Sequence, residues 1–356
     1  MYTVLIFNSI VVFLAWIGGL SKNRNSYNWL KLSFVFIFLF LSLRYDFGND
    51  YQTYLKMFNS ISYVDYDDKT EVGWQYLCLL FQPYGFFVML AVLAAINCYV
   101  YYNFIKEYVP SHYYWLAVFV YVFNPYMMLV HSSAMRQSLA ITIFILAIKF
   151  LYEKKYILYL LIILTATLVH RSSSVLLLMP LMFIWKFKFT RLKILIMLFF
   201  FVILLKYSSA LIPYVQLIVN SYFEKYEGYQ NAANDQIGTG LGVLYYAFTF
   251  IVLLYYTKYQ NSKNLILFKI ATISYYIMGI GLALAMAGRI EMYFQIVFIV
   301  VIPLIVNEMK ARTNRLAFVS SYLAITLYSF YGFFQSYIWR DAFGVYKTIF
   351  SAPKIF

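Results

Sequence analysis

YTVLIFNSIVVFLAWIGGL, residues 2–20, runs without one charged side chain. A helix rises about 1.5 Å per residue, so this run reaches close to the ~30 Å hydrocarbon thickness of a bilayer. A short basic linker follows, SKNRNSY at residues 21–27, and a second apolar run fills residues 28–43. No small-residue cleavage pattern follows Leu20, so the first run is expected to be a retained helix and not a signal peptide.

Working outward, similar runs recur at residues 86–105, 113–130, 137–152, 156–170, 173–185, 192–206, 239–257, 265–287, 290–306 and 316–334. They predict an all-α polytopic integral membrane protein with about twelve helices, read as a single membrane domain over residues 1–356. Composition agrees: 63% of the residues are hydrophobic and 12% are charged, against about 25% charged in soluble domains. Several runs are short for a full crossing. The stretches around His131–Arg136 and His170–Ser173 are expected to be tight outer-leaflet turns or broken helices. The Asn124-Pro125 step should bend the fourth helix, since proline lacks a backbone donor.

Lysine and arginine set the orientation, because cytoplasmic loops collect them. With the N-terminus outside, the inner loops hold Lys22, Arg24, Lys31, Lys106, Lys149, Lys154, Lys155, Lys186, Lys188, Arg191, Lys193, Lys258, Lys263, Lys269, Lys310, Arg312 and Arg315. Their only acids are Glu107, Glu153 and Glu308, so the whole net charge of +14 falls on that face. Both termini are then expected outside. The basic balance reports topology and gives no reason to expect nucleic acid. Cys78 and Cys98 are the only cysteines. One is expected near the outer surface and one within a helix, so neither a disulfide nor a cysteine metal site is expected. The 38 tyrosines and 35 phenylalanines suit membrane interfaces and sugar surfaces, but equally a compositional bias.

Two outer segments are too long for turns. Residues 44–85 carry Asp65, Asp67 and Asp68 and an amphipathic stretch at 71–81; residues 207–238 carry the polar, aromatic Tyr222–Tyr229 piece. Together they are expected to form a substrate-facing cap. No ionisable residue sits in the middle of an expected span: Lys31, Lys149, Lys269 and Glu291 lie near the ends. Ion-coupled transport ordinarily needs such groups, so that class is disfavoured. Five arginines instead gather at outer helix ends: Arg44, Arg136, Arg171, Arg289 and Arg340. The guanidinium fork matches phosphate oxygens and stays charged, which would suit a lipid diphosphate at headgroup level.

Four constellations carry the chemistry, each with a plain structural reading beside it. Arg44-Tyr-Asp46-Phe-Gly48-Asn-Asp50-Tyr51-Gln-Thr-Tyr54 offers a cation, two carboxylates and tyrosines, or simply a snorkelling arginine before an Asx-rich turn. Ser132-Ser-Ala-Met-Arg136-Gln137 opens a helix and could bind an anion, or be an N-cap followed by an interfacial arginine. Ala166-Thr-Leu-Val-His170-Arg171-Ser-Ser-Ser174 places one of three histidines beside an arginine and hydroxyls, as a base or as a structural residue. Gly288-Arg289-Ile-Glu291-Met-Tyr293 could hold phosphate and sugar, or a local pair.

These stretches, in this order and with Glu71-Val-Gly-Trp74, resemble the EpsG-like branch of Wzy-type polysaccharide polymerases over about residues 40–300. The tail beyond Tyr337 fits less well. The resemblance implies a GT-C-like fold in the bacterial plasma (inner) membrane, with an active face that is periplasmic or extracellular. It implies glycosyl transfer between undecaprenyl-diphosphate-linked repeat units of an O-antigen, capsule or exopolysaccharide, with membrane lipid, a chain-length regulator and a flippase as partners. A donor that already carries a diphosphate needs no cofactor, nucleotide or metal. His170 is then the expected base, with Asp46 or Asp50 as the alternative. Arg44, Arg136, Gln137, Arg171, Arg289, Tyr51, Glu71 and Glu291 are the expected diphosphate and substrate contacts. A polysaccharide flippase or transporter, or a membrane acyltransferase, are the competing functions.

Overall fold

The computed structural model describes residues 2–20, 25–61, 70–124, 126–184, 190–207, 241–281, 285–313, 320 and 343–351. Almost all of these are helical. In chain order the helices are α1 (Tyr2–Leu20), α2 (Asn25–Ser42), α3 (Tyr51–Ser60), α4 (Val72–Phe81), α5 (Phe86–Tyr108), α6 (Tyr114–Phe123), α7 (Met128–Ser133), α8 (Met135–Tyr152) and α9 (Tyr156–Val169). A 3-10 turn, Arg171–Leu178, leads to α10 (Met179–Ile184), α11 (Arg191–Tyr207), α12 (Leu241–Thr257), α13 (Ser262–Gly281), α14 (Ala285–Gln295) and α15 (Phe298–Arg312). Strands β1 (Arg44–Tyr45) and β2 (Lys347–Thr348) pair antiparallel. The expected helix at 316–334, the outer segment 207–238, Asp65, Asp67, Asp68, Pro125 and Arg340 lie outside the described residues.

The chain forms two compact units, Met1–Leu177 with Ile302–Phe356, and Leu178–Val301. In the first, the helices alternate between two ends. At one end Lys106, closing α5, lies over the Tyr27 ring of α2 at 5.0 Å, Tyr27 meets Tyr114 of α6 at 6.1 Å, and the His112 backbone abuts Gly19. At the other end Phe7 of α1 stacks on Phe40 of α2 at 4.3 Å, and Tyr346 also stacks on Phe40 at 4.3 Å. Lys106 thus shares one end with the starts of α2 and α6, while the start of α1 and strand β2 share the end that carries Arg44.

Polar side chains buried between these helices are cross-linked, as lipid requires of groups that water cannot reach. Asn8 of α1 donates to the Val122 carbonyl of α6 at 2.8 Å, and Ser33 of α2 to Val11 of α1 at 3.0 Å. Between α5 and α8, Asn97 donates to Ser138 Oγ at 3.2 Å and accepts from Thr142 at 2.5 Å.

Among the described residues, four helices are long and apolar enough to cross a membrane: α1, α5, α8 and α13. Ala287–Gln295 and Phe298–Arg312, bent by 51°, make a fifth when taken as one broken span. Among the described residues, the expected runs do not all become full-length helices. Hydropathy does not register where a helix breaks: the run at 113–130 ends as a helix at Phe123, and the run at 173–185 is 3-10 as far as Leu178 and α-helical only from Met179. Lys269 is also deeper than expected, because α13 begins at Ser262 and carries it two turns inside. Conversely, α3 falls in the outer segment 44–85, where no helix is expected at 51–60.

Cysteine substitutions test the sidedness, since Cys78 and Cys98 are both buried. Ser60, the last residue of α3, and Lys155, between α8 and α9, are exposed. Ser60→Cys should react with an impermeant thiol reagent in intact cells and Lys155→Cys should not; the reverse pattern would put the Arg44 end in the cytoplasm.

Candidate functional site

The Arg44 end of the first unit is assembled by two close backbone approaches. Gly48 has φ +114°, a conformation side chains resist, and a Cβ there would lie 2.3 Å from the Ser132 carbonyl oxygen. The loop after α2 is thereby seated on the end of α7. Gly73 has no positive φ, yet its Cβ would lie 2.7 Å from the Leu168 carbonyl oxygen. Glycine at this position lets α4 lie directly against α9, two residues before His170. Trp74, wholly buried, completes the contact and meets Tyr54 of α3 edge-on at 5.4 Å.

At the start of α4, Glu71 is 8% exposed and gathers three partners. One carboxylate oxygen accepts the Arg136 guanidinium from α8. The other accepts the Arg171 backbone N–H at 3.2 Å and lies 3.4 Å from His170 Nδ1. Burial alone would push this carboxyl's pKa up. The His170 imidazole 3.4 Å away, the charge of Arg136 and the Arg171 N–H outweigh it and hold the group at about 2, so it is ionised at any physiological pH. Tyr54 Oη receives the Arg136 backbone N–H at 3.5 Å, and the guanidinium lies 5.8 Å from the Tyr54 ring centroid. Ser173 donates both its backbone N–H, at 3.0 Å, and its hydroxyl, at 2.9 Å, to the His170 carbonyl, fixing the turn that presents the imidazole. Both ring nitrogens of His170 are enclosed and neither has a hydrogen-bond partner of regular geometry; Nδ1 is the one that faces Glu71.

The other expected residues are distributed differently. Arg44 is 3% exposed; it donates to the Leu41 carbonyl and, at 3.3 Å, to the His131 carbonyl. Both carbonyls are at helix C-terminal ends, where a cation is favoured, so the fork is turned inward and braces α2 against α7. Burial lowers its pKa to about 10, which leaves it charged. His131 is enclosed between Tyr101, at 5.0 Å, and Tyr121, at 5.7 Å. Tyr51 is fully buried and packs edge-on against Phe86 at 5.6 Å, while Gln137 is 4% exposed. Asp46 has φ +49° and accepts from Gln52 at 2.5 Å; Asp50 is exposed and, like Arg136, acts electrostatically on Tyr54. Ser132 bonds back to Leu129 at 2.7 Å and does not cap α8. Arg171 is exposed. Arg289 and Glu291 lie on α14 of the second unit. Among the described residues no cluster of His, Cys, Asp or Glu has metal-binding geometry.

What fold and site define together is a multi-pass, all-α membrane protein with an acid–base and guanidinium cluster at one end of its first unit. The profile of the EpsG family matches residues 27–348, and the chain belongs to that family of Wzy-type polysaccharide polymerase-like proteins. Membership carries a polymerase-like role in polysaccharide biosynthesis, association with glycosyltransferase-like polymerases, and lipid-linked glycans as the substrate class. No curated protein and no solved structure matches the chain significantly.

Glu71 makes acid stability measurable. Its depressed pKa contributes stability that is fully present above about 4.5 and lost as pH falls toward about 2. At pH 7, Glu71→Gln should lower stability in detergent by about 1–3 kcal/mol, the range for charged hydrogen bonds. The gap in unfolding temperature from the native chain should narrow as the pH drops below 4.5; a gap constant with pH would mean that the carboxylate is not held ionised by its partners.

Proposed function

We propose that this protein polymerises oligosaccharide repeat units carried on undecaprenyl diphosphate, at the outer face of the bacterial plasma membrane. The observation that carries the reading is the convergence of Glu71, Arg136, His170 and Arg171 at one point. Three separate family stretches, Glu71-Val-Gly-Trp74, Met-Arg136-Gln137 and Ala-x-x-x-His170, meet there. In this reading the chain crosses the membrane about twelve times in a GT-C-like arrangement with both termini outside. The acceptor hydroxyl of an incoming lipid-linked unit attacks the anomeric carbon of the growing chain. The new glycosidic C–O bond forms as the bond to the diphosphate breaks, and undecaprenyl diphosphate leaves with the bonding electrons. The hydroxyl proton goes to the His170 imidazole.

Arg136 and Arg171 would receive the developing diphosphate charge, doing by guanidinium what a divalent cation does elsewhere. Arg171, the exposed one of the pair, has an open fork for such a ligand; Arg136 shares its own with Glu71. Asp50, near Tyr54, is the alternative base, while Asp46 is already bonded to Gln52. Gln137, Tyr51 and Arg44 support the wall of the site from behind in this reading. Arg289 and Glu291 are further diphosphate and sugar contacts, to be tested by their own variants. A chain-length regulator and a flippase would work beside the enzyme.

Purified protein supplied with lipid-linked repeat units should yield a polymer ladder. His170→Gln should insert normally and bind donor but polymerise about 10²–10⁴-fold more slowly, the usual worth of a general base. Arg136→Ala and Arg171→Ala should each reduce polymer strongly at unchanged protein level. Lysine replacements should restore activity only in part, since an ammonium cannot make the bidentate contact. Relocation of the units across a bilayer without lengthening would identify a flippase instead, and a His170→Gln variant within a few-fold of native rate would move the base to Asp50 or Asp46.

A further inference from the structure

The competing assignment for Glu71 is direct contact with sugar or diphosphate, but an 8% exposed carboxylate beside two arginines would repel a diphosphate. We infer that Glu71 is a positioning residue: its carboxylate fixes His170 in the tautomer protonated at Nδ1 and leaves Nε2 as the proton acceptor. The inference rests on the base assignment above and deepens it.

The imidazole turns one nitrogen to Glu71: Nδ1 lies 3.4 Å from Oε1, an ion-pair separation, and neither ring nitrogen has a hydrogen-bond partner of regular geometry. A carboxylate is acceptor-only, so the nitrogen facing it must carry the proton. The unprotonated nitrogen is then the one that faces away. Glu71 is itself immobilised: its second oxygen is taken by Arg136, and its first also holds the Arg171 N–H at 3.2 Å. Neither partner can compete for the imidazole, because both are donors. When Nε2 takes the acceptor proton, the imidazolium that results sits against a fixed negative charge, as the orienting carboxylate of a hydrolase triad provides. The charged and titratable groups of this cluster are Glu71 at the N-cap of α4, Arg136 on α8 and Arg171 next in sequence, with Tyr54 on α3 and Cys78 on α4 in the field of Arg136.

The test needs both a spectroscopic and a kinetic reading. Full-length protein with 15N-labelled histidine, its His170 signals assigned by their loss in His170→Gln, should show Nδ1 protonated and Nε2 unprotonated at neutral pH. In Glu71→Gln, whose amide can donate to Nδ1, the Nε2-protonated form should appear, while Glu71→Asp should retain the native tautomer. A native His170 protonated at Nε2, or a tautomer unmoved by Glu71→Gln, overturns the inference whether or not the protein is a polymerase. In the polymerisation assay, Glu71→Gln should cut turnover about 10–100-fold and shift the acid limb of the rate profile to lower pH. It should add nothing in a His170→Gln background. Loss of rate with an unmoved acid limb, or losses that multiply in the double variant, would make Glu71 merely structural. A native chain that forms no polymer, yet shows the tautomer expected, would instead overturn the functional reading and leave the pairing standing.

Discussion

A buried carboxylate has to be surrounded by donors, and this constraint organises the candidate site. Glu71 meets Arg136, 65 residues on, and Arg171, 100 residues on. Three helix termini are drawn together by one anion: the start of α4, the start of α8 and the turn leaving α9. Removing an ion from water costs several kcal/mol unless its lone pairs are filled. Here a guanidinium and a backbone N–H fill them, with the His170 imidazole 3.4 Å away, and the group stays ionised. A burial of this kind is weak evidence for stability as such. It is better evidence for a fixed geometry, because each donor has only one direction from which to reach the carboxylate.

The apolar surroundings explain why the neighbouring parts look as they do. In a bilayer, main-chain groups must be satisfied within the protein, so helices break only where something local can accept or donate. The break after α9 is sealed by Ser173, which gives two hydrogen bonds to the His170 carbonyl. The break after α2 is sealed by a short β pairing with residues 347–348 and by Tyr346, which donates to the Phe40 carbonyl at 2.7 Å. The two closest backbone contacts, at Gly48 and Gly73, are adjacent to these breaks. Small residues there permit approach distances that a methyl group would prevent.

Much of this architecture was legible in the sequence. Helices α1, α8, α9 and α11 begin and end within two residues of the apolar runs, since charged or polar linkers bound each run on both sides. Residues Arg136, His170 and Arg171 stood out as polar groups at the ends of otherwise apolar segments. What could not be read was which of them touch. Glu71 precedes an amphipathic stretch and looked like one more acidic contact for substrate; its place in the centre follows from Gly73 and Leu168 meeting, a tertiary event with no local signature. The 3-10 turn at Arg171–Leu178 was likewise invisible to hydropathy, because Val175 to Leu178 are as apolar as any membrane helix.

The arginines illustrate why composition overstates a binding site. In the sequence, Arg44, Arg136 and Arg171 are equivalent cations at one face. In the structure they differ by burial, and burial decides what each can bind. Arg44 is enclosed and its terminal nitrogens face helix C-terminal carbonyls, whose partial negative charge favours a cation without a carboxylate. Arg136 is half-enclosed and paired, so a diphosphate reaching it must compete with Glu71 or bind on the guanidinium edge that Glu71 leaves. Arg171 gives its backbone N–H to the carboxylate and keeps its side chain exposed. One anchored residue thus supplies a fixed donor inward and a charge outward, and a phosphate approaching from the membrane surface would encounter that outward charge first. The order of exposure is Arg171, then Arg136, then Arg44; in the proposed reading it would be an order of availability to ligand, from a capturing group through a shared one to a brace.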